Sequence, residues 1–203
     1  MDVLVPFAAD DPKTRLSEVL SAAERKQFSR SMLEDVLDGL WAVDADPTVL
    51  STAPIDIDGD AAVVVDDRSL SEAVNDRLDP PQAVVVADLP LATAETFRRL
   101  FDSAVDADVA VAPGLGGGTN CLVVDHPEFR VDYHGASIRD HRTIADEVGA
   151  DLTAIDSFRL AVDIDTPADL SEVLLHAEGR TREFLEAAGF ELTIRDGRVS
   201  VAR

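Results

Sequence analysis

Short runs of β-branched and aliphatic residues alternate with stretches in which apolar positions recur every three or four residues, and the alternation continues along nearly the whole chain. A mostly parallel sheet with helical crossovers produces this rhythm, so the pattern predicts an α/β fold of three layers. Strands are expected at 3–6, 48–51, 61–65, 83–87, 109–112, 121–124, 152–155 and 160–162. Ser21-x-x-Glu24 has the spacing of a capping box, and beyond it Phe28, Met32, Leu33, Val36, Leu37 and Leu40 share one face of a helix. Further helices are expected at 70–78, 94–103, 138–148, 167–177 and 181–188, with Thr166 as N-cap and Pro167 at the first helical position of the fourth. Residues 190–194 and 199–201 flank Asp196-Gly197, a dipeptide suited to a type I′ turn, and predict a small C-terminal hairpin.

A chain of 203 residues suits one domain over 1–203, and neither a repeat nor a low-complexity linker divides it. Hydrophobic residues make up 46% of it, enough to fill a core, so its charge excess is not the signature of a disordered chain. Forty acidic residues against eighteen basic ones leave a net charge of -22. Such a surface repels nucleic acid and anionic membranes, which argues against both as partners. Dense carboxylates do keep a protein hydrated in concentrated salt, where screening shortens to a few Å, so the composition is that of a halophile. Cys121 stands alone in an apolar run, which excludes an intrachain disulfide and suits a reducing cytoplasm. No basic segment followed by an apolar one opens the chain, and no apolar run approaches the ~18 residues of a membrane span, so neither secretion nor membrane insertion is expected.

Four places carry candidate chemistry. The apolar run 83–87 ends abruptly at Asp88-Leu89-Pro90, which puts a carboxylate at the carboxyl end of a buried strand, where ligands and hard cations bind in open α/β sheets; Asp-x-Pro suits a helix or turn cap equally well. Asp163 and Asp165 follow another apolar stretch two residues apart, a spacing that in extended chain turns both to one side and lets them share a metal; Asp56 and Asp58 have the same spacing by chance. Gly114, Gly116, Gly117 and Gly118 gather four of the eleven glycines between two strands, fit either for closing backbone amides around an anion or flat ring or for a flexible hairpin-like loop. Lys13 and Arg15 are isolated cations in the loop after the first strand; they suit a triphosphate, and equally an ordinary surface pair with Asp10 or Asp11. Ser137 reads as the N-cap of the helix that follows it, where the free amides of the first turn also present an anion site. The histidines show no metal-ligand spacing and define no Ser-His-Asp order.

In order along the chain, Val5-Pro6-Phe7, Lys13-Thr14-Arg15-Leu16-Ser17, Asp88-Leu89-Pro90-Leu91, Gly116-Gly117-Gly118-Thr119-Asn120 and Asp163-Ile164-Asp165-x-Pro167-x-Asp169-Leu170 resemble the 2-phospho-L-lactate guanylyltransferase family over nearly the full length. The resemblance implies a nucleotide-diphospho-sugar-transferase-like fold, a cytoplasmic homodimer, Mg²⁺ as cofactor, and a halophilic archaeon as source. It also implies a reaction of coenzyme F-420 biosynthesis in which GTP and 2-phospho-L-lactate, or phosphoenolpyruvate, give lactyl-2-diphospho-5′-guanosine and pyrophosphate. The product would pass to the next enzyme of the pathway.

Carried over residue by residue, the resemblance makes Asp88, Asp163 and Asp165 the metal ligands. Thr119, Asn120, Gly135 and Ser137 would hold the acid, Lys13 and Arg15 would face the GTP phosphates, and Gly116, Gly117 and Gly118 would border the guanine or substrate pocket. Other readings are a nucleotidyltransferase acting on a molybdopterin or sugar phosphate and a nucleotide-binding protein without turnover. An aspartate-nucleophile phosphatase is disfavoured, because its Asp-x-Asp normally ends the first strand.

Overall fold

A computed structural model describes residues 1–195 and 197–203. Nine strands alternate with helices: β1 (Asp2–Phe7), α1 (Ala22–Trp41), β2 (Asp46–Ser51), β3 (Ala62–Val65), α2 (Leu70–Asn75), β4 (Gln82–Val85), α3 (Ala94–Ser103), β5 (Val109–Pro113), β6 (Thr119–Val124), α4 (Ser137–Val148), β7 (Leu152–Ala154), α5 (Phe158–Ala161), α6 (Leu170–His176), α7 (Arg180–Ala187), β8 (Glu191–Arg195) and β9 (Arg198–Ala202). The first seven strands form one sheet in the order β3-β2-β1-β4-β6-β5-β7. Only β6 runs against its neighbours, antiparallel to β4 and β5, so the sheet is mixed but mostly parallel.

Alternation along β1 explains the three layers. Val3, Val5 and Phe7 pack into a cluster with Leu33, Val36, Leu37 and Leu40 of α1 and Phe97 and Leu100 of α3, whereas Leu4, between them, packs with Val74 of α2 and Ile138 and Ala145 of α4 on the opposite face. The helical face anticipated from Phe28 to Leu40 is wholly buried, each such side chain contributing about 1.5–3 kcal/mol. Ser21 and Glu24 close the capping box at the start of α1. A third cluster joins Leu16 and Leu20 after β1, Phe28 and Met32 of α1, Val162, Ile164 and the α6–α7 helices. It brings the loop after β1 and the 162–165 segment to one place.

Three local expectations are corrected. Residues 160–162 do not form a strand: Ser157 caps a short helical turn, α5, by accepting from the Leu160 N–H, and only from Val162 is the chain extended. Thr166 does not cap α6, and Pro167 lies in a turn before it; the Asp169 carboxylate instead reaches back to the Thr166 N–H (2.7 Å) and Oγ1 (2.9 Å), and the helix begins at Leu170. Ser137 is the first residue of α4 rather than its cap, because Ala136 stands at the N-cap and the Ser137 hydroxyl is turned to another partner. At the C terminus β8 and β9 pair antiparallel as expected. The turn type assigned to Asp196-Gly197 involves residue 196, which lies outside the described residues. None of the described helices is long and apolar enough to cross a membrane.

Candidate functional site

β1 and β4 are parallel neighbours, so their carboxyl ends open on the same edge of the sheet, the edge at which open α/β sheets bind ligands. After β1 the chain turns through Asp11 and Lys13, both at positive φ (41° and 54°). Arg25 of α1 holds this turn, its Nε donating to the Pro12 carbonyl at 3.1 Å and its Nη2 to Asp11 at 2.5 Å. That pairing leaves Lys13 to reach inward: its Nζ lies 2.6 Å from Asp88 Oδ2 and 2.6 Å from Asp165 Oδ1, with only 9% of the side chain exposed. A surface pair with Asp10 or Asp11, the plainer reading of Lys13, is thereby replaced by contacts 75 and 152 residues away in sequence. Burial pulls the Lys13 ammonium toward deprotonation, but the charges of Asp88 and Asp165 and their hydrogen bonds outweigh it, and its pKa ends above the ordinary lysine value. Arg15, far more exposed, donates to the other oxygen of Asp165 at 3.2 Å.

Asp163 completes the group, and one carboxylate oxygen from each of Asp88, Asp163 and Asp165 can be chosen so that all lie within 4.8 Å of one another. Among the described residues this is the one cluster of at least three His, Cys, Asp or Glu side chains that meets this spacing; Asp56 and Asp58 are exposed and take no part. The segment bearing Asp163 and Asp165 is pinned by the Ile164 N–H, which donates to the Asp88 carbonyl (3.1 Å), and by Asn120 Nδ2, which donates to the Leu160 carbonyl (2.9 Å) and, at 3.4 Å, to Asp163 Oδ1. Burial and then the Asp88 charge raise the Asp163 pKa. Asp88 Oδ1 is buried and, among the described residues, has no hydrogen-bond partner. An unpartnered buried carboxylate oxygen beside two more carboxylates is a donor set that fits a hard divalent cation.

On the other flank of Asn120, Thr119, the first residue of β6, is buried and faces Ser137 and His141 of α4. Its Oγ1 lies 3.3 Å from Ser137 Oγ and 2.9 Å from His141 Nδ1. Because His141 Nε2 accepts the Asp132 N–H (3.0 Å), its ring proton must sit on Nδ1, and the imidazole donates to Thr119. Burial lowers the His141 pKa from 6.5 to about 4, so the ring is neutral. Nothing in the spacing of the histidines signalled this role. In the β5–β6 loop the Gly114 N–H donates to the Gly118 carbonyl and the Gly117 N–H to the Gly114 carbonyl, while a Cβ at Gly114 would come 2.6 Å from Asn120 Oδ1. Gly117, at φ +85°, faces Ala136, and Gly135 and Gly116 border open space.

A cleft of about 380 Å³ opens from the carboxylates along the ends of β1, β2 and β3. Lys13, Asp88 and Asp165 line one part of it; Thr52, Asp66, Arg68 and Leu70 line another. No local pattern in the sequence marks this second group, since Asp66 and Arg68 lie in a chain crowded with aspartates and only the pairing of β3 beside β2 brings them to the cleft. Neither the glycine-rich loop nor Thr119 and Ser137 is among the cleft-lining residues.

The fold has relatives among solved structures. A nucleotide-diphospho-sugar transferase assignment from Desulfovibrio desulfuricans superposes with a TM-score of 0.73 at 18% identity, over 92% of this chain and 94% of that one. A 4-diphosphocytidyl-2C-methyl-D-erythritol synthase from Anaerococcus prevotii superposes with a TM-score of 0.56 at 11% identity, over 91% and 97%. By sequence, the chain is 57% identical to a 2-phospho-L-lactate guanylyltransferase of Halomicrobium mukohataei over the full length of both, and 56% identical to one of Natronomonas pharaonis over 100% of this chain and 99% of the other. The family model described as guanylyl transferase CofC like matches residues 1–203 from end to end. The end-to-end family match and these full-length relatives show that the chain belongs to the CofC-like guanylyl transferase family, whose members are nucleotidyltransferases.

Proposed function

We propose that this chain, as a single nucleotidyltransferase domain over 1–203, condenses GTP with 2-phospho-L-lactate to give lactyl-2-diphospho-5′-guanosine and pyrophosphate in coenzyme F-420 biosynthesis. The observation that carries the reading is Lys13, which sits 2.6 Å from both Asp88 and Asp165 in the wall of a cleft of about 380 Å³. Asp88, Asp163 and Asp165 would hold Mg²⁺, which when bound offsets the negative charge that gathers on the triphosphate. Lys13 and Arg15 supply fixed positive charge on the same side. A phosphate oxygen of the acid attacks the α-phosphorus of GTP; the new P–O bond forms as the bond to pyrophosphate breaks, in line. That oxygen is already ionised at neutral pH, so no general base is needed, and the protein's contribution is to hold two polyanions together and stabilise the charge between them.

The acid is assigned to the flank formed by Thr119, Asn120, Gly135 and Ser137, with Gly116, Gly117 and Gly118 at its border. The network through Thr119 and the open space beside Gly135 support that assignment. A cytoplasmic homodimer that hands its product to the next enzyme completes the reading. The test is pyrophosphate release in molar KCl with Mg²⁺ and GTP, supplying 2-phospho-L-lactate, phosphoenolpyruvate or 3-phosphoglycerate in parallel. Release that depends on 2-phospho-L-lactate is expected. Release with another acid alone reassigns the substrate, and none with any acid from folded protein overturns the reading.

A further inference from the structure

From the geometry of the second part of the cleft we infer that Arg68, held by Asp66, reads the guanine base through its O6/N7 edge and so sets the choice of GTP over ATP. This deepens the proposed reaction and rests on the cleft being a nucleotide site. β3, which leads to Arg68, is separated from β4, which leads to Asp88, by β2 and β1. Three strand spacings place the two strand ends roughly 14 Å apart, a span that a nucleoside triphosphate bridges with its phosphates at the carboxylates and its base at Arg68. The walls near Arg68 are apolar, formed by Leu50, Leu70 and Ala73, and suit the faces of a purine.

Hydrogen-bond accounting decides what this end can recognise. Asp66 is spent: its Oδ1 accepts from the Arg68 N–H (3.1 Å) and Nε (3.0 Å), and its Oδ2 accepts from Arg68 Nη2 (2.7 Å) and Arg77 Nη1 (2.6 Å). Arg68 Nη2 also donates to Asp76 (2.8 Å). Among the described residues Arg68 Nη1 has no hydrogen-bond partner, so the capacity left over is a donor. Two arginines and two aspartates sum to no net charge, so this group does not compete with Lys13 and the metal cluster for phosphate. It offers N–H donors to a neutral ligand edge. Guanine presents two acceptors there, O6 and N7, whereas adenine presents N7 beside an N6 donor that an arginine repels. Asp66 acts as a positioning residue: its two-pronged grip fixes the plane of the guanidinium, which a lysine in place of Arg68 could not reproduce.

The experiment measures binding of GTP, ITP, 7-deaza-GTP and ATP, each with Mg²⁺ in molar KCl and without any acid acceptor, to wild type and to Arg68→Ala, Arg68→Lys and Asp66→Asn, with unfolding curves run beside them. Wild type should bind GTP and ITP alike, because both carry O6 and N7, and should bind 7-deaza-GTP and ATP more weakly. Arg68→Ala and Arg68→Lys should lose about 10- to 100-fold for GTP and little for ATP, erasing the preference. Asp66→Asn should weaken GTP more than ATP. A wild-type preference for GTP that survives in folded Arg68→Ala and Arg68→Lys overturns the assignment of Arg68, as does 7-deaza-GTP binding as tightly as GTP. Equal binding of ATP and GTP to wild type overturns it too while leaving the nucleotide cleft standing. If no nucleotide binds folded wild type, the proposed function fails and this inference with it.

Discussion

The two flanks of the Asp88 cluster are built on opposite plans. Toward β1, β2 and β3 the protein keeps a cleft, a lysine clamped between two carboxylates and a buried carboxylate oxygen that has no partner among the described residues. Toward β6 and α4 it is closed, and Thr119, Ser137 and His141 satisfy one another inside the packing. The open flank stores charge and unsatisfied capacity, which only a ligand or cation relieves. The closed flank is a preset hydrogen-bond network, which can orient a group at its surface but has little reason to move. Substitutions on the open flank should therefore act on turnover, and those on the closed flank on the position of the acid.

The largest effect should come from Asp88→Asn or Asp163→Asn. Each deletes a charge of the cation site without deleting volume, so turnover should fall about a thousandfold or more while unfolding in molar KCl is little changed. Near-normal rates in either purified variant would remove the metal assignment. Next, Lys13→Gln should lower turnover about 100- to 1,000-fold by removing a fixed positive charge from the reacting phosphates. A loss confined to stability, with turnover intact, would make Lys13 a structural counter-ion and erase the contrast between the flanks.

On the closed flank the expected effects are smaller. His141→Asn keeps an amide donor near the position of Nδ1, whereas His141→Gln keeps an amide near Nε2 and leaves Thr119 without its donor. The glutamine variant should raise KM for the acid about tenfold, as loss of one oriented hydrogen bond implies, and the asparagine variant should restore it. Equal KM values in both and in wild type would reduce the network to a staple of α4 on β6. The same histidine sharpens the picture through pH. Its folded pKa of about 4 lies below the ordinary 6.5, so the unfolded chain binds more protons between those values, and stability is lost as pH falls through that window. The loss should amount to about 3 kcal/mol at most and should be absent in His141→Gln, as read from unfolding at fixed salt across pH 4–7.

Much of the frame was legible beforehand because it depends on local chemistry. The 3.6-residue spacing from Phe28 to Leu40, the capping box at Ser21 and Glu24 and the unbroken apolar run before Asp88 are each readable from neighbouring residues, and each has its expected counterpart in α1 and β4. The ordered motifs were sufficient to suggest the family. Where local patterns competed, reading failed: Leu160, Ala161 and Val162 look like a strand, but the Ser157 cap and the Asn120 bond to the Leu160 carbonyl favour a helical turn through Ala161.

What the sequence determined by itself was the α/β rhythm, the acidic character and the set of residues able to carry phosphate and metal chemistry, because periodicity, composition and residue type are properties of short stretches of chain. What tertiary structure alone decided was which of forty acidic groups meet. Lys13 finds Asp165 from 152 residues away, Arg68 reaches the cleft through the placement of β3 beside β2, and His141 becomes a donor because Asp132 occupies its other nitrogen. Those outcomes depend on strand order and on the accounting of buried hydrogen bonds, and both exist only once distant segments have packed.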